Sequence, residues 1–105
     1  MPTLTTQILA PTTGGANSVD FVVDNLPMTL QLTGASAVLA GAETVTLQRK
    51  DSTGTYRNVH DPVAGLAQLT AGMDSMRIVS SGTYQASKSA TAAATGLEVI
   101  ASTLS

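Results

Sequence analysis

The spacing of apolar residues constrains this chain most, because apolar and polar side chains alternate through several short stretches. The alternation covers residues 19–24, 28–33, 43–50 and 97–102. Successive side chains leave opposite faces of a pleated strand, so a period of two indicates strands that place one face in a core. Within the first stretch it places Val19, Phe21 and Val23 on one face.

Turn residues separate these stretches at regular intervals. Asp51-Ser52-Thr53-Gly54 is the strongest turn signal and predicts a β-hairpin over residues 43–60, since glycine tolerates positive φ and Asp or Ser bond to nearby amides. Asn25-Leu26-Pro27 is expected to join two further strands. With residues 3–10 at the front, the chain is expected to have eight or nine short strands at roughly ten-residue spacing. The sequence therefore predicts an all-β fold: a single compact antiparallel β-sandwich or barrel, immunoglobulin-like or jelly-roll-like.

The first fifteen residues form a threonine-rich segment, the leader. Gly14-Gly15-Ala16-Asn17 separates it from the first predicted strand of the domain. We therefore divide the chain into residues 1–17, an N-terminal arm or edge strand, and residues 18–105, a β-sandwich domain. The leader is either an edge strand or an arm that orders on a neighbouring molecule. Its large apolar side chains are the candidate partner-binding residues: Leu4, Ile8 and Leu9.

Two segments, residues 35–42 and 87–95, are rich in alanine and poor in strand-forming residues. Alanine favours helix, but segments this short rarely hold an isolated helix in water. Both are expected to cross between sheets, with or without a single helical turn.

Low charge excludes several classes of function. Only 11% of residues are charged and the net charge is −2, whereas nucleic-acid binders carry a basic face. The five cations are scattered along the chain: Arg49, Lys50, Arg57, Arg77 and Lys88. No export signal or membrane-length apolar run is visible. We expect a soluble protein that binds neither nucleic acid nor a membrane.

Groups that carry chemistry are sparse. The chain has no cysteine and one histidine, His60, which precedes Asp61-Pro62. A metal site needs three or four ligands and a triad needs a nucleophile beside its base, so the His60–Asp61 pair is more simply a strand end that opens a turn. Phe21, Tyr56 and Tyr84 are the only aromatic residues. Phe21 is expected in the core, and Tyr56 and Tyr84 in the core or at its rim with their hydroxyls reaching solvent. We expect no enzyme activity, catalytic residues, metal or cofactor.

Three stretches carry a resemblance to a known protein type. They run from Leu39 to Arg49, from Asp51 to Val59, and from Ser81 through Lys88 on to residues 96–100. In these stretches the chain resembles small β-sandwich structural proteins of tailed bacteriophages, and among them the capsid decoration (cement) proteins are closest in size. The resemblance implies a virion protein on the capsid exterior, made in the host cytoplasm. It also implies the major capsid protein as partner and a homo-oligomer, a trimer being favoured.

These observations favour a protein that works by surface contact. The leading hypothesis is a capsid decoration protein that binds the outside of the major capsid protein lattice and stabilises the head. The alternative is an immunoglobulin-like adhesive or ligand-binding module of a phage tail or host-surface protein. Scarce aromatic residues count against that alternative, because glycan-binding surfaces depend on exposed rings.

Overall fold

The structure, a computed structural model, describes residues 3–24, 28–34, 39–61, 65–78 and 80–102. Within them the chain forms twelve extended segments and no helix. In chain order they are β1 (Thr3–Thr12), β2 (Ala16–Asn17), β3 (Phe21–Val23), β4 (Met28–Gly34), β5 (Val45–Lys50), β6 (Tyr56–Asn58), β7 (His60–Asp61), β8 (Gly65–Leu66), β9 (Gln68–Leu69), β10 (Ser75–Ile78), β11 (Gly82–Lys88) and β12 (Thr95–Ser102). Eight of the twelve are three residues or longer, in agreement with the predicted number of strands.

The strands form two main sheets. The four-stranded sheet has the order β1-β12-β4-β10, and the six-stranded sheet has the order β2-β11-β5-β6, with β3 also paired to β11 and β9 to β5. Strands β7 and β8 form a separate two-stranded ribbon. All pairings between described strands are antiparallel. The prediction of an all-β fold built from antiparallel sheets is confirmed.

One apolar core lies between the two sheets. Its buried side chains are Ile8, Phe21, Val23, Leu30, Leu32, Leu39, Val45, Leu47, Leu69, Ile78, Tyr84, Ala86, Leu97 and Val99. The alternation in the sequence explains which side chains are buried. In β5, Val45 and Leu47 are buried while Thr46 and Gln48 are partly exposed. Each fully buried aliphatic side chain of this kind contributes about 1.5–3 kcal/mol to folding.

The predicted hairpin over residues 43–60 is confirmed, with β5 antiparallel to β6. The segment between β11 and β12 crosses from one sheet to the other without a helical turn. Strands β4 and β5 also lie in different sheets, although residues 35–38 of their connection lie outside the described residues. The same holds for the predicted turn at residues 25–27.

Val19 departs from the predicted pattern. It precedes β3 and is 62% exposed, whereas Phe21 and Val23 are buried as expected. The backbone amide of Val19 donates to the carbonyl of Ile8 (3.0 Å). This hydrogen bond joins the segment before β3 to β1. The alternation of buried and exposed side chains therefore begins at Phe21.

Residues 3–12 of the leader form β1, an outer strand of the four-stranded sheet. Its register with β12 shifts between Gln7 and Leu9 and again between Leu9 and Thr12. Gly96 on β12 lies against this irregular part, because a Cβ there would come within 2.6 Å of the Leu9 carbonyl oxygen. The division of the chain at residue 17 stays a prediction.

Candidate functional site

The β5–β6 turn is fixed by one carboxylate. Asp51 Oδ1 accepts hydrogen bonds from the backbone amides of Thr53 (2.8 Å) and Thr55 (3.0 Å), and Oδ2 accepts from Arg57 Nε (2.7 Å). Gly54 supplies the positive φ of +86° that the turn needs. The bond donated by the Thr53 hydroxyl, then those from Arg57 and Thr55, hold the pKa of Asp51 well below its usual range.

This hairpin carries three of the five cations of the chain. Arg49 and Lys50 end β5 and Arg57 lies in β6, directly across from Arg49. With His60 they line a surface hollow of about 490 Å³, which we call the hollow. Asp51 is the one acidic residue among those lining it.

A second depression adjoins the hollow and reaches between the two sheets. This cleft, of about 340 Å³, shares Arg49, Val59 and His60 with the hollow. Its apolar lining comes from both sheets: Leu47, Val59, Ala67, Met76, Ile78 and Tyr84. Arg77, on the edge strand β10, lies at its lip. Four of the five cations of the chain therefore lie around one end of the sandwich.

Arg49 is a charged residue of β5 that lines the cleft. In β5 it follows Val45 and Leu47 at the next inward-facing position, yet it is exposed because the core ends there. Its guanidinium donates to the Ser81 carbonyl (2.7 Å) and lies against Gly82, where a Cβ would come within 2.6 Å of Arg49 Nε. The inner face of β5 thus ends in a positioned cation.

Tyr84 forms the floor of the cleft and is 1% exposed. Its hydroxyl donates to the Ser80 carbonyl (2.8 Å), and its ring stacks on Phe21 with centroids 6.0 Å apart. Burial raises the pKa of the Tyr84 hydroxyl, and the charge of Arg49 opposes part of that rise. Tyr84 is thus a core residue, but its hydroxyl is bonded to the Ser80 carbonyl and does not reach solvent as predicted.

Tyr56 lies outside the cleft, on the rim of the six-stranded sheet. Its hydroxyl donates to Asp20, and this bond raises the pKa of Tyr56. Lys50 Nζ lies 5.7 Å from the Tyr56 ring centroid and 4.0 Å from Asp20 Oδ2. Asp20 therefore neutralises part of the charge at the outer side of the hollow, away from the cleft.

The predicted partner-binding residues lie at the opposite edge of the molecule. Ile8 is 4% exposed in the core and Leu9 packs against the core. Leu4 pairs with Ala101 in the backbone register, and its side chain lies outside the described residues. The structure thus places Ile8 and Leu9 in intramolecular packing, and the partner-binding role of all three stays a prediction.

His60 is exposed on β7 and faces both depressions. The side chain of Asp61 lies outside the described residues. Among the residues that the structure describes, no group of three or more His, Asp or Glu side chains is placed to hold a metal ion. No described helix is long and apolar enough to cross a membrane.

The sequence reasoning missed the cleft. One signal for it was visible, since Arg49 continues the inward-facing row of Val45 and Leu47. A cation at a core-facing position indicates that the row leaves the core at that point. Nothing in the local sequence shows that Arg77, on another sheet, lies beside it.

No protein-family model and no curated protein matches this chain. A solved structure of similar fold is the SPBc2 prophage-derived protein YomS, which is 12% identical with a TM-score of 0.64, covering 95% of this chain and 92% of that one. A chain from Bacillus endospore appendages, described as disulfide-linked pili, is 18% identical with a TM-score of 0.43, covering 99% of this chain and 87% of that one. The likeness to YomS shows a shared fold.

Proposed function

We propose that this chain is a structural protein of a bacteriophage particle that acts by binding other proteins. The observation that carries the proposal is the likeness of its fold to a prophage-derived protein along 95% of its length. The sequence resemblance to small structural proteins of tailed phages supports the same class. Function is not fixed by fold, so the experiment below tests the role directly.

Within that class we propose a capsid decoration protein, which binds the outside of the major capsid protein lattice and stabilises the head. The chain is small, carries few charges, and offers a cleft at one end and a strand edge at the other for contact. Many copies on a lattice would act together, so each contact need not be strong. A homo-oligomer, with a trimer favoured, would match a three-fold position of the lattice.

The test is cosedimentation of the purified chain with heads of the phage that encodes it, prepared without the chain. We expect saturable binding to heads in at least one maturation state. Absence of binding to every state overturns the decoration role, and saturable binding to a glycan array instead would favour the adhesive module. Light scattering of the free chain tests the trimer, which a monomer at high concentration would contradict.

Leu4, Ile8 and Leu9 need a point-variant test, because deleting residues 1–15 would also remove β1 and the buried side chain of Ile8. Leu4→Asp leaves Ile8 and Leu9, which the structure places in the core and against it, unchanged. We expect it to weaken head binding, while Ala42→Asp, the same charge change at an exposed turn outside β1 and the cleft, should not. Equal binding of wild type and Leu4→Asp would overturn the role of Leu4.

A further inference from the structure

The four-stranded sheet ends at β10, which pairs with β4 on one side. None of the described strands pairs with its other side. The Asp74 carbonyl accepts from the Leu32 amide (2.9 Å), and Met76 lies opposite Leu30. In an antiparallel ladder alternate residues bond to the neighbouring strand. The backbone N–H and C=O groups of Ser75 and Arg77 therefore face the free edge.

The cleft opens beside this free edge. Met76 and Ile78 turn toward the interior and line one side of the cleft, while Leu47 and Tyr84 line the other. A strand added to β10 would send alternate side chains into the cleft and onto the outer face of the sheet. An apolar side chain entering the cleft would meet its apolar lining, with Arg49, His60 and Ser80 as polar neighbours.

Charge decides which kind of strand fits. Arg77 is exposed and alternates with the inward-facing Met76 and Ile78, and Arg49 lies at the mouth of the cleft. The only acidic residue among the described residues that line the hollow and the cleft is Asp51, and Arg57 already binds it. The residues that line the hollow and the cleft thus carry four cations and one carboxylate, while Asp20, beside Lys50, and Asp74, directly before β10, add acidic groups nearby.

We propose that β10 is a docking edge for an extended, acidic segment of a partner protein. The segment adds as a fifth strand, inserts an apolar side chain into the cleft, and places carboxylates on the outer face of the sheet beside Arg77. Main-chain hydrogen bonds give such strand addition its affinity and side-chain pockets give its specificity. Charge complementarity selects the partner and speeds its association. The inference rests on the proposed function only in that the chain works by binding protein.

The test uses the whole chain and a short labelled peptide of alternating glutamate and valine, followed by fluorescence anisotropy. We expect saturable binding that weakens as salt is added, because exposed charges are screened. The same peptide with lysine in place of glutamate should not bind. Arg77→Gln should lower affinity about tenfold, since it removes a charge-assisted contact.

Thr6→Glu is the matched control, because it also lowers the net charge by one at an exposed position of an outer strand. It lies on β1, at the other side of the same sheet. We expect its affinity for the glutamate peptide to equal that of the wild type. Equal binding of the lysine peptide, an unchanged affinity of Arg77→Gln, or no peptide binding at all would each overturn the proposal.

Amide hydrogen exchange on the wild-type chain tests the geometry without any variant. The amides of Ser75 and Arg77 should become protected when the peptide binds, while that of Met76, already bonded to β4, should change little. Protection of the Ser75 and Arg77 amides without peptide, in a dimer, would assign the edge to a second copy and overturn the proposal.

The two proposals fail separately. If the wild type cosediments with heads and the glutamate peptide does not bind, the docking edge fails but the proposed function stands. If the peptide binds as expected and no head binds the chain, the docking edge stands and the decoration role fails.

Discussion

Tyr84 on β11 lies directly opposite Arg49 on β5, so one cross-strand pair joins the buried core to the exposed mouth of the cleft. Tyr84 is 1% exposed and its hydroxyl is bonded to the Ser80 carbonyl, whereas Arg49 reaches solvent and bonds to Ser81. The two carbonyls are adjacent in the chain. Hydrogen bonds from both strands of the pair therefore fix Ser80 and Ser81, the two residues that precede β11.

Removing the Tyr84 hydroxyl should destabilise the fold without opening the core. We expect Tyr84→Phe to lower the free energy of unfolding by about 1 kcal/mol, the value of one hydrogen bond. Tyr84→Ala should cost about 3–5 kcal/mol, because it leaves a cavity against Phe21. Urea denaturation measures both. Tyr56→Phe is the comparison: it also removes a hydrogen bond, to Asp20 on the exposed rim, and should cost less, so a loss as large as in Tyr84→Phe would contradict the assignment.

Gly96 should be needed because the backbone of β1 lies very close to β12 at this position. A Cβ at this position would come within 2.6 Å of the Leu9 carbonyl oxygen and 2.9 Å of the Pro11 nitrogen, and backbone atoms cannot move aside cheaply. We expect Gly96→Ala to cost about 1–3 kcal/mol and to speed amide exchange in β1. Gly14→Ala is the control, since its Cβ meets nothing closer than 3.9 Å. Equal stability of both variants would show that β1 adjusts freely.

The free energy of unfolding should fall in acid, because two carboxylates with lowered pKa values become protonated. Hydrogen bonds hold the pKa of Asp51 below its ordinary 3.8, and the amides of Ala40 and Ala92 hold the pKa of Glu43 below its ordinary 4.5. Each group thus binds its proton more weakly when the chain is folded. Its contribution is complete above the ordinary pKa and is lost as the pH falls toward the lowered value.

Thermal melting across pH measures this effect. We expect Tm to change little between neutral pH and about pH 5, and then to decline as the pH falls below 4.5. Asp51→Asn and Glu43→Gln should each flatten part of the decline and lower Tm at neutral pH. Ser52→Ala, a neighbouring exposed change, should leave the profile as it is. A decline of the same depth in the carboxylate variants would contradict the assignment.

Lys88 should fasten the leader to the six-stranded sheet. It is 3% exposed, and its Nζ donates to the carbonyls of Gly14 (2.8 Å) and Ser89 (2.9 Å). We expect Lys88→Met to cost about 1–3 kcal/mol, because it leaves those carbonyls without their donor. Lys50→Met makes the same change at an exposed position and should cost less than about 1 kcal/mol. Chemical denaturation of the two variants gives the comparison.

The sequence predicts the fold well where local rules decide it. Alternation placed Val45 and Leu47 in the core, and Asp51 with Gly54 predicted the hairpin turn, since both depend on residues close in the chain. Val19 was placed inward because alternation alone does not show where a strand begins. The bond of its amide to Ile8, a residue of another strand, moves that start to Phe21.

The candidate site depends on contacts that the local sequence does not record. Arg49 and Arg77 are far apart in the chain and lie in different sheets, and only the packing of β10 against the six-stranded sheet brings them to one cleft. The scattered spacing of the cations was therefore a poor guide to their clustering. The sequence likewise does not show that Lys88 is buried, with its ammonium group bonded to backbone carbonyls.

The proposed decoration role is tested most directly by cryo-electron microscopy of phage heads prepared without this chain, before and after addition of the purified protein. We expect added density on the outer surface of the major capsid protein lattice, with a β-sandwich of this topology fitting each copy. Maps that show no added density at saturating chain, in any maturation state of the head, would contradict it.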